Sequence, residues 1–154
     1  MSQKKVLVIE DNPVYVRIIE KRLQNTGFIT VTAQDGLLGY NLAKKIQPDL
    51  IVLDLMLPTM DGHKVCRLLK FDKTTKAIPV LILTSRGGEA DVELSRYTRA
   101  DAFLAKTVKS EEMIATVRRL LENAEHFDVE RISFGGEELE ILKCKHEPEK
   151  IEVA

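Results

Sequence analysis

Asp49-Leu50-Ile51-Val52-Leu53-Asp54 is a short apolar run that ends in a carboxylate. Three other runs are built alike: Val6-Leu7-Val8-Ile9 ends in Glu10-Asp11, Val80-Leu81-Ile82-Leu83 in Thr84, and Ala102-Phe103-Leu104-Ala105 in Lys106. Short runs that are apolar throughout and stopped by a polar residue have the pattern of parallel strands buried on both faces, which deliver their terminal side chains to one edge of the sheet. That edge is where open α/β sheets bind ligands. Three carboxylates, one hydroxyl and one ammonium would meet there, the inventory for holding a divalent cation and a phosphoryl group.

The segments between these runs read as helices. Asn12-Pro13 supplies an N-cap and an N1 proline, and Val16, Ile19 and Leu23 recur at helical spacing until Asn25-Thr26-Gly27. Phe28 to Ala33 is β-branched and strand-like, and Asp35-Gly36 opens a second helix carrying Leu38, Leu42 and Ile46. A third helix is expected from about His63 to Phe71, a fourth from Glu89 to Tyr97 after the Arg86-Gly87-Gly88 break, and a last one from Ser110 with Ile114, Val117, Leu120 and Leu121 facing inward. Alternation of this kind predicts an α/β fold, a doubly wound flavodoxin-like (βα)5 parallel sheet of order 2-1-3-4-5, with Glu10, Asp11 and Asp54 sharing the crevice between strands 1 and 3.

The chain has 154 residues, room for one ordinary core and a short appendage. Lys+Arg number 23 against 24 Asp+Glu, so its charge makes no case for direct contact with nucleic acid or an anionic membrane. No apolar stretch approaches the roughly 20 residues that span a bilayer, and the first residues lack a signal-peptide apolar region, so a cytoplasmic protein is expected. Cys66 and Cys144 read as free thiols, with Cys66 packed in a helix. His63, His126 and His146 are scattered and read as surface residues, and Lys64, Arg67, Lys70, Lys73 and Lys76 read as a solvated helix face.

Three clustered carboxylates repel one another unless a cation or shared protons intervene. Oxygen ligands alone favour Mg²⁺, which uses one or two carboxylates together with waters and phosphate oxygens. Asp11 and Asp54 would be direct ligands and Glu10 would act through water, with a backbone carbonyl just past Asp54, that of Met56, as a further oxygen. A carboxylate so placed can attack phosphorus, and Asp54 is the candidate because its strand is central. Lys106 would neutralise charge on the transferring oxygens while the Thr84 hydroxyl bonds the phosphoryl group. Taken singly, each of these residues is an ordinary strand end; their conjunction carries the inference.

These motifs, together with Pro48 to Pro58, Met60-Asp61-Gly62, Pro79 to Ser85 and Ala100 to Lys106, resemble the receiver domain of two-component response regulators across residues 4 to about 123. The resemblance implies that Asp54 accepts phosphate from a histidine kinase or phosphotransfer protein, that the acidic pair binds Mg²⁺, and that Thr84 and Phe103 form a switch. It further implies output to a downstream protein target through the surface of the fourth helix, fifth strand and fifth helix, and no enzymatic activity beyond self-phosphorylation and slow self-dephosphorylation. The family usually follows its lysine with a cis-proline, whereas Thr107 follows Lys106 here, which opens a second reading as a phosphate-independent pseudo-receiver. A Mg²⁺ phosphohydrolase of the haloacid dehalogenase type wants Asp-x-Asp, and this chain has Asp54-Leu55-Met56.

Residues 124–154 form a C-terminal extension in which alternating runs flank Gly135-Gly136, a β-hairpin pattern, before a loose end from His146. Phe134-Gly135-Gly136-Glu137-Glu138-Leu139 resembles the hairpin of diguanylate cyclases, but the long α/β segments such a domain needs on both sides are missing. Two strands alone bury too little to stand by themselves. A homodimer joined through this tail, or through the surface of the fourth helix, fifth strand and fifth helix, is the corresponding expectation.

Overall fold

The computed structural model describes residues 3–85, 91, 93–94, 97–125, 127–134, 137–144 and 152–153, with side chains through residue 124. Five strands, β1 (Lys5–Ile9), β2 (Ile29–Ala33), β3 (Leu50–Leu53), β4 (Val80–Thr84) and β5 (Ala102–Ala105), pair in parallel in the order β2-β1-β3-β4-β5. The helices described are α1 (Pro13–Gln24), α2 (Gly36–Ile46), α3 (Gly62–Phe71) and α4 (Ser110–Glu125). The helix expected from Glu89 to Tyr97 lies partly outside the described residues; Asp91, Glu93, Leu94 and Tyr97 within it are helical.

Both faces of the sheet are covered, so each strand divides its residues between two cores at the period of two that a pleated strand imposes. Val6, Val8, Leu50, Val52, Leu81 and Leu83 pack with Ile19 and Leu23 of α1 and Met113, Val117 and Leu120 of α4. Leu7, Ile9, Ile51, Leu53, Val80, Ile82 and Phe103 pack on the other side with Ala43 of α2 and Val65, Cys66 and Leu69 of α3. Among the described residues, no helix is long and apolar enough to cross a membrane.

Four expectations need correction. Of the residues expected on the inward row of α2, Leu38 is exposed while Leu42 packs against the core, and the buried residues of that helix are Gly36, Gly39 and Ala43. The helix comes so close to β1 that a Cβ on Gly39 would meet three Ile9 side-chain carbons at 2.5–2.9 Å. His63 is buried rather than on the surface, with Nε2 3.1 Å from Asp91 Oδ1. Lys70 leaves the solvated face and folds inward, with Nζ 2.7 Å from Asp101 Oδ2 and donating to the Ile78 carbonyl at 2.8 Å.

The fourth correction concerns the tail. β6 (Phe127–Phe134) and β7 (Glu137–Cys144) form the expected antiparallel hairpin, with Phe134 opposite Glu137 across the two glycines. The last residues are not wholly loose, because β8 (Glu152–Val153) pairs in parallel with Ala102–Phe103 and extends the sheet beyond β5. His126 and His146 lie outside the described residues.

Candidate active site at the C-terminal edge of the sheet

β1 and β3 are neighbours in register, Ile9 opposite Leu53, so Glu10 and Asp54 leave the sheet side by side. Backbone bonds fix both exits: Glu10 N–H donates to the Ala33 carbonyl and Asp54 N–H to the Ile9 carbonyl, each at 3.0 Å. Beyond Glu10 the chain turns at once. Asn12 N–H donates to Glu10 Oε1 at 3.1 Å, and Asn12 Oδ1 accepts from Val14 N–H at 3.0 Å as the N-cap of α1. The turn leaves Asp11 exposed while Glu10 and Asp54 are buried.

One oxygen from each of Glu10, Asp11 and Asp54 can be chosen so that all three lie within 4.8 Å of one another, a group able to hold a metal ion. From the far side of β4 comes Lys106. Its backbone N–H donates to the Thr84 carbonyl at 2.9 Å, which places it just past the ends of β4 and β5. Its ammonium lies 3.2 Å from Asp54 Oδ2 and 3.0 Å from Glu10 Oε2, the second contact being an ion pair without hydrogen-bond alignment. The Lys106-Thr107 peptide is trans, and the ammonium reaches both carboxylates in that state.

The electrostatics follow from burial and crowding. Burial first, then repulsion by Asp54, raises the Glu10 carboxyl to about 7, against the opposing close contact of the Lys106 ammonium and the hydrogen bond from Asn12 N–H. For Lys106, burial favours the neutral amine, but the close contact with Glu10 and the attraction of Asp54 and Glu10 outweigh it, and the ammonium is held above its ordinary value. Asp54 Oδ1 is buried with no hydrogen-bond partner among the described residues. A buried acceptor of this kind is costly unless a cation or donor arrives to satisfy it. The all-oxygen donor set and this orphaned oxygen fit a hard divalent cation.

Thr84 is buried at the end of β4, and Phe103 is buried on the α2/α3 side of β5. Met56 follows Asp54 by two residues, with an exposed side chain whose Sδ is 3.9 Å from Ser85 Oγ. α3 is tied directly to this edge, because Gly62 N–H donates to the Leu55 carbonyl at 2.9 Å. Glu10, Asp11, Asp54 and Lys106 come together at this edge and Thr84 ends β4 beside them, whereas Phe103 lies within β5 in the core. Sequence reasoning missed Tyr15, whose ring centroid lies 4.0 Å from Lys106 Nζ. The available signal was its position, in the first turn of a helix that starts immediately after the acidic pair.

Comparison with known proteins agrees with this geometry. Residues 6–118 match the response regulator receiver domain. The chain belongs to that family. It is 43% identical over 117 residues to the DNA-binding dual master transcriptional regulator RpaA of Synechocystis, an alignment covering 76% of this chain and 48% of that protein. It therefore spans about half the length of that curated relative. Among solved structures, the signal receiver domain of a signal transduction histidine kinase from Syntrophus aciditrophicus superposes with TM-score 0.75 at 30% identity, covering 85% of this chain and 99% of the other. The receiver domain of the Pseudomonas aeruginosa sensor histidine kinase PA1611 superposes with TM-score 0.73 at 26% identity over 79% of this chain and 99% of its own, and holds a magnesium ion in its active-site cleft.

Proposed function

We propose that this chain is a phosphoacceptor of two-component signalling in which Asp54 is phosphorylated. The observation that carries the reading is the Lys106 ammonium set between Glu10 and Asp54 while Asp54 Oδ1 stays unpartnered. An Asp54 carboxylate oxygen attacks the phosphorus of a phosphohistidine on a histidine kinase or phosphotransfer protein. The O–P bond forms as the N–P bond breaks, and the electron pair leaves with the imidazole. Lys106 stabilises the charge on the transferring oxygens, and the Thr84 hydroxyl donates to the phosphoryl group once it is in place. Hydrolysis of the acyl phosphate by water resets the site.

Mg²⁺ is the proposed cation. Glu10, Asp11, Asp54 and the Met56 carbonyl would hold it, and when bound it neutralises the phosphoryl oxygens. Phe103, buried on β5 next to β4, is the proposed switch residue, coupling the phosphorylated edge to a downstream protein. The DNA-binding role of RpaA belongs to a protein of which this chain spans 48%, and the reading here is confined to the receiver. A homodimer through residues 124–154 is a further proposal that rests on the β6–β7 hairpin, since the edge beyond β5 is already taken by β8 of the same chain.

Incubation with acetyl phosphate and Mg²⁺, followed by intact mass, tests the assignment. A metal-dependent phosphoryl adduct that is lost in Asp54→Ala is expected. Undiminished labelling of that variant would overturn the choice of Asp54, and no adduct on the wild type would overturn the phosphoacceptor reading.

A further inference from the structure

We propose that Tyr15 is a positioning residue for Lys106, holding the ammonium over the site through the face of its ring; this rests on the phosphoacceptor reading above. Lys106 Nζ lies 4.0 Å from the Tyr15 ring centroid, well inside the roughly 6 Å over which an aromatic face attracts a cation. The other contacts of the ammonium are Asp54 at 3.2 Å and Glu10 at 3.0 Å. Its side chain is only 6% exposed, so these contacts lie in a site largely screened from water. Tyr15 itself is half-buried.

The start of α1 makes this contact possible. Asn12 caps the helix and Pro13 occupies its first turn, which sets the helix phase directly after Glu10-Asp11. Tyr15 then continues the row of Ile19 and Leu23 one turn toward the helix start, half-buried at the rim of the site rather than in the core.

The ring differs from the carboxylates in what it does when the site is loaded. Any oxygen of Glu10 or Asp54 that turns toward a cation or a phosphoryl group is shared with, or lost to, Lys106. An aromatic face competes for neither. Tyr15 is therefore the one of these three contacts that stays constant while the others change, and it keeps the flexible lysine arm aimed at the phosphoryl oxygens. The ring carries this role, and the hydroxyl does not.

The experiment compares wild type, Tyr15→Phe, Tyr15→Leu and Tyr15→Met in the full chain, with urea midpoints confirming that each is folded. The first readout needs no reaction: in metal-free protein the Lys106 ε-methylene NMR signal, assigned by its loss in Lys106→Arg, should be shifted upfield by the ring. The shift should persist in Tyr15→Phe and vanish in the Leu and Met variants. The second readout is the maximal rate of labelling by acetyl phosphate with Mg²⁺, expected at the wild-type level in Tyr15→Phe and about three- to thirtyfold lower without the ring. Full rate or a retained shift in the Leu and Met variants overturns the inference, as does a Phe variant as slow as Leu, which would assign the effect to the hydroxyl. A wild type that accepts no phosphoryl group overturns the underlying reading instead, and the two failures are told apart by that control.

Discussion

Replacing Gly62 by alanine should damage stability and phosphorylation together, because this glycine is where α3 meets the backbone of the proposed phosphoacceptor. A Cβ built there lies 2.2 Å from the Asp54 carbonyl oxygen, 2.6 Å from Leu55 Cα and 3.0 Å from the Asp54 carbonyl carbon. All three are backbone atoms, so no side chain can rotate away. Carbon contacts relax at about 3.5 Å, so the β3–α3 connection must open by roughly 1 Å. Overpacking of this kind typically costs 1–3 kcal/mol, and a backbone obstacle puts Gly62→Ala near the top, at about 3 kcal/mol. That is a large share of the roughly 5–15 kcal/mol available to a domain. Displacing a reacting group by about 1 Å can also cost on the order of a hundredfold in rate. Urea unfolding and the initial rate of labelling by acetyl phosphate measure the two effects. Gly27 supplies the control: its φ of +93° taxes any side chain, but nothing lies within 4 Å of its Cβ. Gly27→Ala should lose about 1 kcal/mol and label normally. A Gly62→Ala protein within about 0.5 kcal/mol of wild type and labelled at the wild-type rate would refute the reasoning.

Other outcomes follow from the same contacts. With Glu10 raised to about 7 from 4.5, the folded state takes up the proton more readily than the unfolded one, so the stability Glu10 contributes is full below about 4.5 and is lost as pH rises through about 7. Cation binding has the opposite sign, because it needs the ionised carboxylate; calorimetry should find Mg²⁺ affinity rising about tenfold from pH ~6 to pH ~8, and an equal rise in Glu10→Gln would contradict this. Cys66 is buried and its thiol is pushed up to about 11 by burial, so in a Cys144→Ser background it should resist alkylation near pH ~8 until urea unfolds the protein, as mass spectrometry would show. Lys70→Ala should cost about 2 kcal/mol in urea unfolding, between the values for exposed and buried ion pairs, because the Lys70 side chain is 8% exposed and its Asp101 partner 35%. Asp101→Asn should cost less, since an amide oxygen can still accept the Val80 N–H that Asp101 Oδ2 now receives at 2.7 Å.

Strand order and the carboxylate cluster were legible in the sequence for one reason. Strands buried on both faces must be apolar throughout, so the first polar residue after each run marks where the chain leaves the sheet, and right-handed crossovers bring those exits to a common edge. The backbone alone then assembles Glu10, Asp54, Thr84 and Lys106, whatever their side chains do. The missed features depend instead on how close the helices approach. Leu38 has the apolar character of a core residue, yet Ile9 of β1 fills the space against Gly39 and Val65 of α3 the space against Gly36, so that with Ala43 the small residues make the buried face. His63 follows Gly62, which packs tightly on the backbone of Asp54 and Leu55, and Lys70 is drawn inward to Asp101 and the Ile78 carbonyl. Tyr15 combines both difficulties, since its meeting with Lys106 requires the phase of α1 and the direction of a flexible lysine arm at once. What a strand end delivers can be read from local pattern, whereas what a long side chain touches is set by the distance between layers, and that distance is fixed by the smallest residues between them.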